Sequence, residues 1–129
     1  EQIRELSLSE SVFLLGMVTN VQEILMAADV FVLPSLNEGF ALSLVEAQAS
    51  GLPAVSSAAA AEAIFMNNCK VCAEFDITKW IDAIYQVCDI PANRFAAADE
   101  TRKAGFDIRT EAKRLQNMYI RRVLGRDRK

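Results

Sequence analysis

Val30-Phe31-Val32-Leu33-Pro34-Ser35-Leu36-Asn37-Glu38-Gly39-Phe40-Ala41-Leu42-Ser43-Leu44-Val45-Glu46-Ala47-Gln48-Ala49-Ser50-Gly51-Leu52-Pro53-Ala54-Val55 is the stretch on which the fold turns. Val30 to Leu33 is a short apolar run, the pattern of a strand covered on both faces. Pro34 cannot donate to a ladder and starts a polar turn that contains Gly39. Leu42, Val45, Glu46 and Ala49 then follow helical spacing, and Gly51 and Pro53 end that helix and begin a second strand at Pro53-Ala54-Val55. Strand, turn, helix and strand in this order predict parallel neighbours joined by a crossover.

The same alternation extends outward. Upstream, Val12-Phe13-Leu14-Leu15 reads as a strand, and Val21, Ile24, Leu25 and Ala28 form a helical stripe opposite Gln22 and Glu23. Downstream, Val71-Cys72-Ala73 reads as another strand after the unusual run Ala58-Ala59-Ala60-Ala61. The last third is helical. Ile77, Trp80, Ile81, Ile84, Tyr85 and Cys88 lie on one stripe within Ile77 to Cys88, and Pro91 separates them from a segment over Arg94 to Ala104. In a final helix from Glu111 to Leu124, Ala112, Leu115, Met118, Tyr119 and Val123 form another stripe. Both stripes are expected to be core. The fold class is therefore α/β, a parallel sheet with flanking helices of the doubly wound type, in one domain over residues 1–129.

Composition bounds the chemistry. The 129 residues are 52% hydrophobic and 24% charged, which suits one globular domain with a real core. No run approaches the roughly 18 apolar residues of a membrane span, and Glu1-Gln2-Ile3-Arg4 lacks the basic start of a signal peptide. The expectation is a cytoplasmic protein, and a first residue other than Met suggests a piece of a longer chain. The absence of histidine removes imidazole-based triads, zinc sites and acid–base work. Cys69-Lys-Val-Cys72 has the spacing of a redox pair or half a zinc site, but it lies in an apolar stretch with only Cys88 in addition, so a reduced structural role is expected. Residues 108–129 hold eight of the fourteen Lys and Arg against two acids, about +6, while the remainder is about −9. That basic end suits a peripheral contact with an anionic membrane face or a solvated helix face. Tyr119 and Phe106 are too few for a nucleic-acid stacking platform, so nucleic acid is not an expected partner.

In open α/β sheets ligands bind outside the carboxyl ends of the strands, which directs attention to residues 34–43. Unpaired amides at the start of the following helix suit a phosphate, and Gly39 lets backbone approach a ligand. Carboxylates repel phosphates, so Glu38 and Glu46 need another task. As ionised acceptors they suit sugar hydroxyls, one near a hexose and one near a ribose. The residues alone equally allow Glu38 as a helix-dipole partner and Glu46 as a solvated helix residue.

The segment Phe31 to Pro53, with Glu38 and Glu46 in a Glu-x7-Glu spacing between a Pro-Ser turn and a Gly-x-Pro stop, resembles the signature of family-4 retaining glycosyltransferases (glycosyl transferases group 1). Phe13-Leu14-Leu15-Gly16, Ala27-Ala28-Asp29-Val30 and Gly105-Phe106-Asp107-Ile108 also match, the last resembling the capsule and exopolysaccharide variety. The resemblance implies a partial Rossmann-like C-terminal domain of a two-domain enzyme, truncated on its N-terminal side and lacking the acceptor-binding domain. It implies transfer from a nucleotide sugar, most often a UDP-sugar, with retention and without metal or other cofactor. The products would be cell-surface polysaccharide or glycolipid. The isolated piece would be inactive, the acceptor glycan or glycolipid being held by the missing domain. Glu38 is the implied catalytic residue, and Glu38, Gly39, Phe40, Ala41, Leu42 and Glu46 are the implied donor-binding set.

Two departures shape further expectations. Ala41 stands where many family members have glycine and could narrow the space for the hexose. The Arg and Lys that grip the diphosphate in the family have no counterpart before Val12, where Arg4 is the sole cation. The strands that would carry them belong between Val12 to Leu15 and Val30 to Leu33, so unpaired edges and self-association are expected. The competing reading is a non-catalytic nucleotide-binding or interaction module on the same fold. A non-hydrolysing epimerase is a third, opposed by the lack of histidine.

Overall fold

The computed structural model describes residues 1–126. A single turn α1 (Gln2–Glu5) precedes α2 (Val21–Ala27), β1 (Phe31–Leu33), α3 (Leu42–Ala49), β2 (Ala54–Ser57), a 3₁₀ segment (Ala58–Ala63), β3 (Cys69–Cys72), α4 (Ile77–Cys88), α5 (Arg94–Lys103) and α6 (Ile108–Arg126). The three strands form one parallel sheet in the order β1-β2-β3. Phe31 pairs with Ala54 and Leu33 with Ser56, while Ala54 pairs with Cys69 and Ser57 with Cys72.

Alternation along the strands divides the core between the two faces of the sheet. On one face Ala54 packs with Ala41, Leu44 and Val45 of the α3 region and with Ala60 and Ala63, joined by Phe31, Leu33, Phe65 and Cys69. On the other, Val55 and Cys72 meet Trp80, Ala83 and Val87 of α4. A third cluster, Leu25, Ala47 and Leu52, seats α2 against α3. The sheet is thus covered on both faces, the arrangement expected for continuous apolar strands.

Three expectations are corrected. Val12 to Leu15 forms no strand, and Phe13 and Leu14 are 70% and 86% exposed. A strand exists through ladder bonds to a neighbour, and no strand lies beside this segment among the described residues. The free edge of β1 is the counterpart of this on the sheet. In α4 the buried face is Trp80, Ala83 and Val87, whereas Ile77, Ile81, Tyr85 and Cys88 are exposed. The helix turns Trp80, Ala83 and Val87 toward β2 and β3, with Ile84 half-buried beside them, so only part of the expected stripe is core. The stripe of α6 is not core either: Leu115, Met118, Tyr119 and Val123 are all exposed.

Cys69 and Cys72 belong to clusters on opposite faces of the sheet, so the CxxC spacing brings no thiol pair together. All three cysteines are free. Burial pushes the Cys69 thiol up from 9.0 to about 11, the behaviour of an inert structural cysteine.

Candidate functional site

The site is built where β1 hands over to α3. Ser57, at the end of β2, donates its hydroxyl to the carbonyl of Ser35 at 2.6 Å, fixing the turn that follows β1. Ser35 in turn donates its own hydroxyl to Glu38 Oε1, also at 2.6 Å. Two short bonds thereby connect the central strand to the Glu38 carboxylate, which is otherwise exposed to solvent. A charge-assisted bond of this kind orients the carboxylate and leaves its remaining lone pairs free.

Gly39, Phe40 and Ala41 lead into α3, where Ala41 occupies the N-cap position without a side-chain cap. Its carbonyl receives Leu44 N and Val45 N, and Leu42 N turns back onto Phe40 O. The amides of Gly39, Phe40, Ala41 and Ser43 have no backbone acceptor among the described residues. Unpaired donors at a helix start present partial positive charge to an anion. The Ala41 methyl is buried with Leu44, Val45 and Ala54. It fills core volume beside β2. Leu42 and Phe40 are exposed.

Glu46 lies one turn further along α3, also exposed. It borders a groove of about 480 Å³ between α2 and α3, together with Thr19, Gln22, Met26, Ser50 and Arg94. Neither Glu38 nor Glu46 is in an ion pair among the described residues. Both carboxylates are exposed and can accept from hydroxyl donors, Glu38 before the unpaired amides in sequence and Glu46 after them, in a groove that residues 38–43 do not line. The structure therefore sets all six sequence-predicted residues along one loop and helix, with Ala41 contributing backbone only.

Several supporting residues were not legible as such. Gln48 is fully buried: its amide nitrogen donates to Leu44 O and Ala63 O, and its oxygen accepts from Phe65 N and Met66 N. This network ties the rear of α3 to the segment after the 3₁₀ turn. A polar residue four positions after Leu44, on the apolar face, is the signal that could have found it. Arg94 donates to Ser50 O at 2.9 Å and to Ala28 O at 3.2 Å, bridging the ends of α3 and α2 beside the Glu46 groove. Phe106 stands between Phe40 and Phe65, with ring centroids 6.1 and 5.2 Å away. The Gly105-Phe106-Asp107-Ile108 segment thus packs against the loop that carries Phe40.

Comparison with known proteins gives the family. Residues 1–89 match the family described as glycosyl transferases group 1. The chain is 34% identical to the UDP-Gal:alpha-D-GlcNAc-diphosphoundecaprenol alpha-1,3-galactosyltransferase of Escherichia coli, over 95% of this chain and 33% of the relative. It is 32% identical to the D-inositol 3-phosphate glycosyltransferase of Corynebacterium kroppenstedtii, over 72% of this chain and 22% of the relative. Against EpsF of Bacillus subtilis the identity is 47%, over 44% of this chain and 15% of the relative. The chain spans about a third or less of the length of these relatives. With a covered parallel sheet, a strand-to-helix turn bearing Glu38 and Glu46, and a family match over more than half its length, the chain belongs to the glycosyl transferases group 1 family.

Proposed function

We propose that this chain is the nucleotide-sugar-binding part of a retaining glycosyltransferase, working in polysaccharide or glycolipid biosynthesis with a UDP-sugar as donor. What supports the reading is the run of unpaired amides at the start of α3, with the exposed carboxylate of Glu38 just before it in sequence and that of Glu46 on the helix after it. The amides take the distal phosphate, offsetting the charge that develops on the leaving diphosphate. Glu46, on the wall of the groove between α2 and α3, accepts the ribose hydroxyls. Glu38, held by Ser35, approaches the hexose and serves as the catalytic carboxylate by orienting the donor.

Retention fits the E. coli relative, which is named an alpha-1,3-galactosyltransferase that uses UDP-Gal. An α-linked UDP-sugar gives an α product when its configuration is kept. In this reading the leaving phosphate assists deprotonation of the acceptor, and no metal or other cofactor is used. The acceptor, a glycan or glycolipid, is bound by a second domain of the whole enzyme, so the chain by itself binds donor without turnover.

The test is calorimetric titration of UDP and UDP-glucose into the chain and into Glu46→Ala. Saturable binding of UDP, weakened about tenfold or more in the variant, is expected for loss of an ionised acceptor from a ribose. Equal binding by both proteins would remove Glu46 from the site. No binding by the wild-type chain would remove this chain as the nucleotide-binding part.

A further inference from the structure

The turn that carries Glu38 is held by two side-chain hydroxyls. The ladder between β1 and β2 ends at the pair Leu33 and Ser56. Among the described residues, no backbone group of residues 34–39 bonds to another backbone group. Residues 36–40 are all exposed. A stretch with solvated backbone and few buried contacts samples many conformations unless something else restrains it.

The restraint comes from β2. Ser57 is the last residue of that strand and is 2% exposed. Its hydroxyl donates to Ser35 O at 2.6 Å, across 22 residues of sequence. Ser35, half-buried, donates its own hydroxyl to Glu38 Oε1 at 2.6 Å, across three. The first bond starts from a buried donor, for which water competes poorly. The second lies at the surface and depends on the first to keep Ser35 in place. The neighbouring Ser56 hydroxyl, also buried, has no partner among the described residues, so of the two adjacent serines Ser57 alone reaches the turn. The position of an exposed carboxylate is thereby referred to the central strand of the sheet.

We propose that Ser57 is a positioning residue: acting through Ser35, it sets the orientation of the Glu38 carboxylate, and with it the part of donor affinity that comes from the hexose. The hexose half of this statement rests on the nucleotide-sugar reading above. A carboxylate that samples several rotamers must be ordered when the sugar binds, and that cost falls on the hexose contact alone. The contacts proposed for Glu46 and for the amides of α3 do not pass through Ser35. In Ser57→Ala, UDP affinity is therefore expected to stay within about twofold, and UDP-glucose affinity to fall about three- to tenfold.

Two measurements on the 129-residue chain test it, with Ser57→Ala, Ser35→Ala, Ser35→Thr and, as a control in the same strand, Ser56→Ala. Three-bond NMR couplings report χ1 of Glu38 without any ligand. One dominant rotamer is expected in the wild type, in Ser35→Thr, which keeps the hydroxyl, and in Ser56→Ala. Averaged couplings are expected in Ser57→Ala and Ser35→Ala. Averaging already present in the wild type, or wild-type couplings in Ser57→Ala, would overturn the inference whether or not the chain binds nucleotide. Calorimetry with UDP and UDP-glucose reads the hexose half, and Ser57→Ala added to Glu38→Ala is expected to cost UDP-glucose nothing further. A further loss there, or equal weakening of both ligands by Ser57→Ala, would mean a general loosening of the site and overturn the inference. A wild-type chain that shows the ordered rotamer, loses it in Ser57→Ala and yet binds neither ligand supports the positioning role and removes the nucleotide reading.

Discussion

Gly51 and Arg94 meet backbone to backbone: a methyl group at Gly51 would stand 2.7 Å from Arg94 Cα and 2.9 Å from Arg94 N. Gly51 has φ +72°, the left-handed conformation that closes a helix at glycine. The contact lets α5 begin directly on the end of α3, where the Arg94 guanidinium takes the carbonyl of Ser50.

Gly51→Ala therefore meets two penalties at once. The left-handed backbone costs an L-residue about 1–2 kcal/mol, and the added methyl forces the main chain of Arg94 to move. A loss of at least ~2 kcal/mol is expected, read as a fall of about 1 M or more in the urea midpoint. An unchanged midpoint would show that α5 does not sit on Gly51.

Gln48 and Ser56 predict changes of opposite sign. Both are fully buried in or beside α3. Gln48→Leu leaves Ala63 O, Phe65 N and Met66 N without their partner, at a cost of about 2–4 kcal/mol. Amide exchange at Phe65 and Met66 should accelerate accordingly. The Ser56 hydroxyl has no partner among the described residues, so Ser56→Ala removes an unmet polar group and raises stability by about 1 kcal/mol. A destabilised Ser56→Ala would mean that the hydroxyl is bonded.

How much of this could be read beforehand depends on whether the information is local. The turn from β1 into α3 was legible because Pro34, Gly39, Gly51 and Pro53 punctuate it, and punctuation acts over a few residues. The bounds of α3 and α4 followed from periodicity. Val12 to Leu15 failed as a strand because its apolar pattern does not say whether a partner strand is beside it. The rotation of α4 was read only in part: Trp80 and Ile84 of the expected stripe pack in the core, but Ala83 and Val87 share that face in place of Ile77 and Ile81, which look more hydrophobic than Ala83. At the site, Glu38 and Glu46 stood out through the resemblance of the whole segment from Phe31 to Pro53, which their spacing alone does not carry. Arg94 did not, because its acceptors Ala28 and Ser50 are 66 and 44 residues away in sequence.

Thiol reactivity should follow burial. With Cys69 raised from 9.0 to about 11, its thiolate fraction near neutral pH is roughly 100-fold below that of an unperturbed thiol. Cys88 is exposed on α4 and Cys72 is buried. Iodoacetamide should alkylate Cys88 first in the folded chain, with Cys69 and Cys72 reacting on the timescale of unfolding. Mass spectrometry of partially alkylated protein reads the order, and early modification of Cys69 would contradict the core assignment.

Asp107 makes the start of α6 sensitive to acid. Its carboxylate accepts from the backbone amide of Thr110 at 2.8 Å, and this bond, reinforced by the Thr110 side chain and by Arg102, holds it below the ordinary 3.8. A lowered folded-state value means stabilisation that is complete above about 3.8 and is lost as pH falls through the folded value. Asn caps a helix about as well as Asp but does not titrate in this range. Asp107→Asn should thus leave α6 helicity unchanged near neutral pH and flatten its decline below about pH 4, followed by circular dichroism. A wild-type acid limb that persists in the variant would place the titrating group elsewhere.

Glu38 and Glu46 can be separated by the part of the donor each is proposed to hold. UDP contains the ribose and diphosphate but no hexose, so Glu38→Gln should leave UDP affinity within about twofold while weakening UDP-glucose. Glu46→Ala should weaken both ligands by a similar factor, because the ribose is common to them. The Gln substitution keeps the size of the side chain, and Ser35 can still donate to its amide oxygen, so the turn is preserved. The expected difference for UDP-glucose is about three- to tenfold, the effect of replacing an ionised acceptor by a neutral one on one or two hydroxyls. Calorimetry with both ligands on both variants decides the matter, since equal weakening of UDP by Glu38→Gln would move that carboxylate from the hexose to the nucleotide.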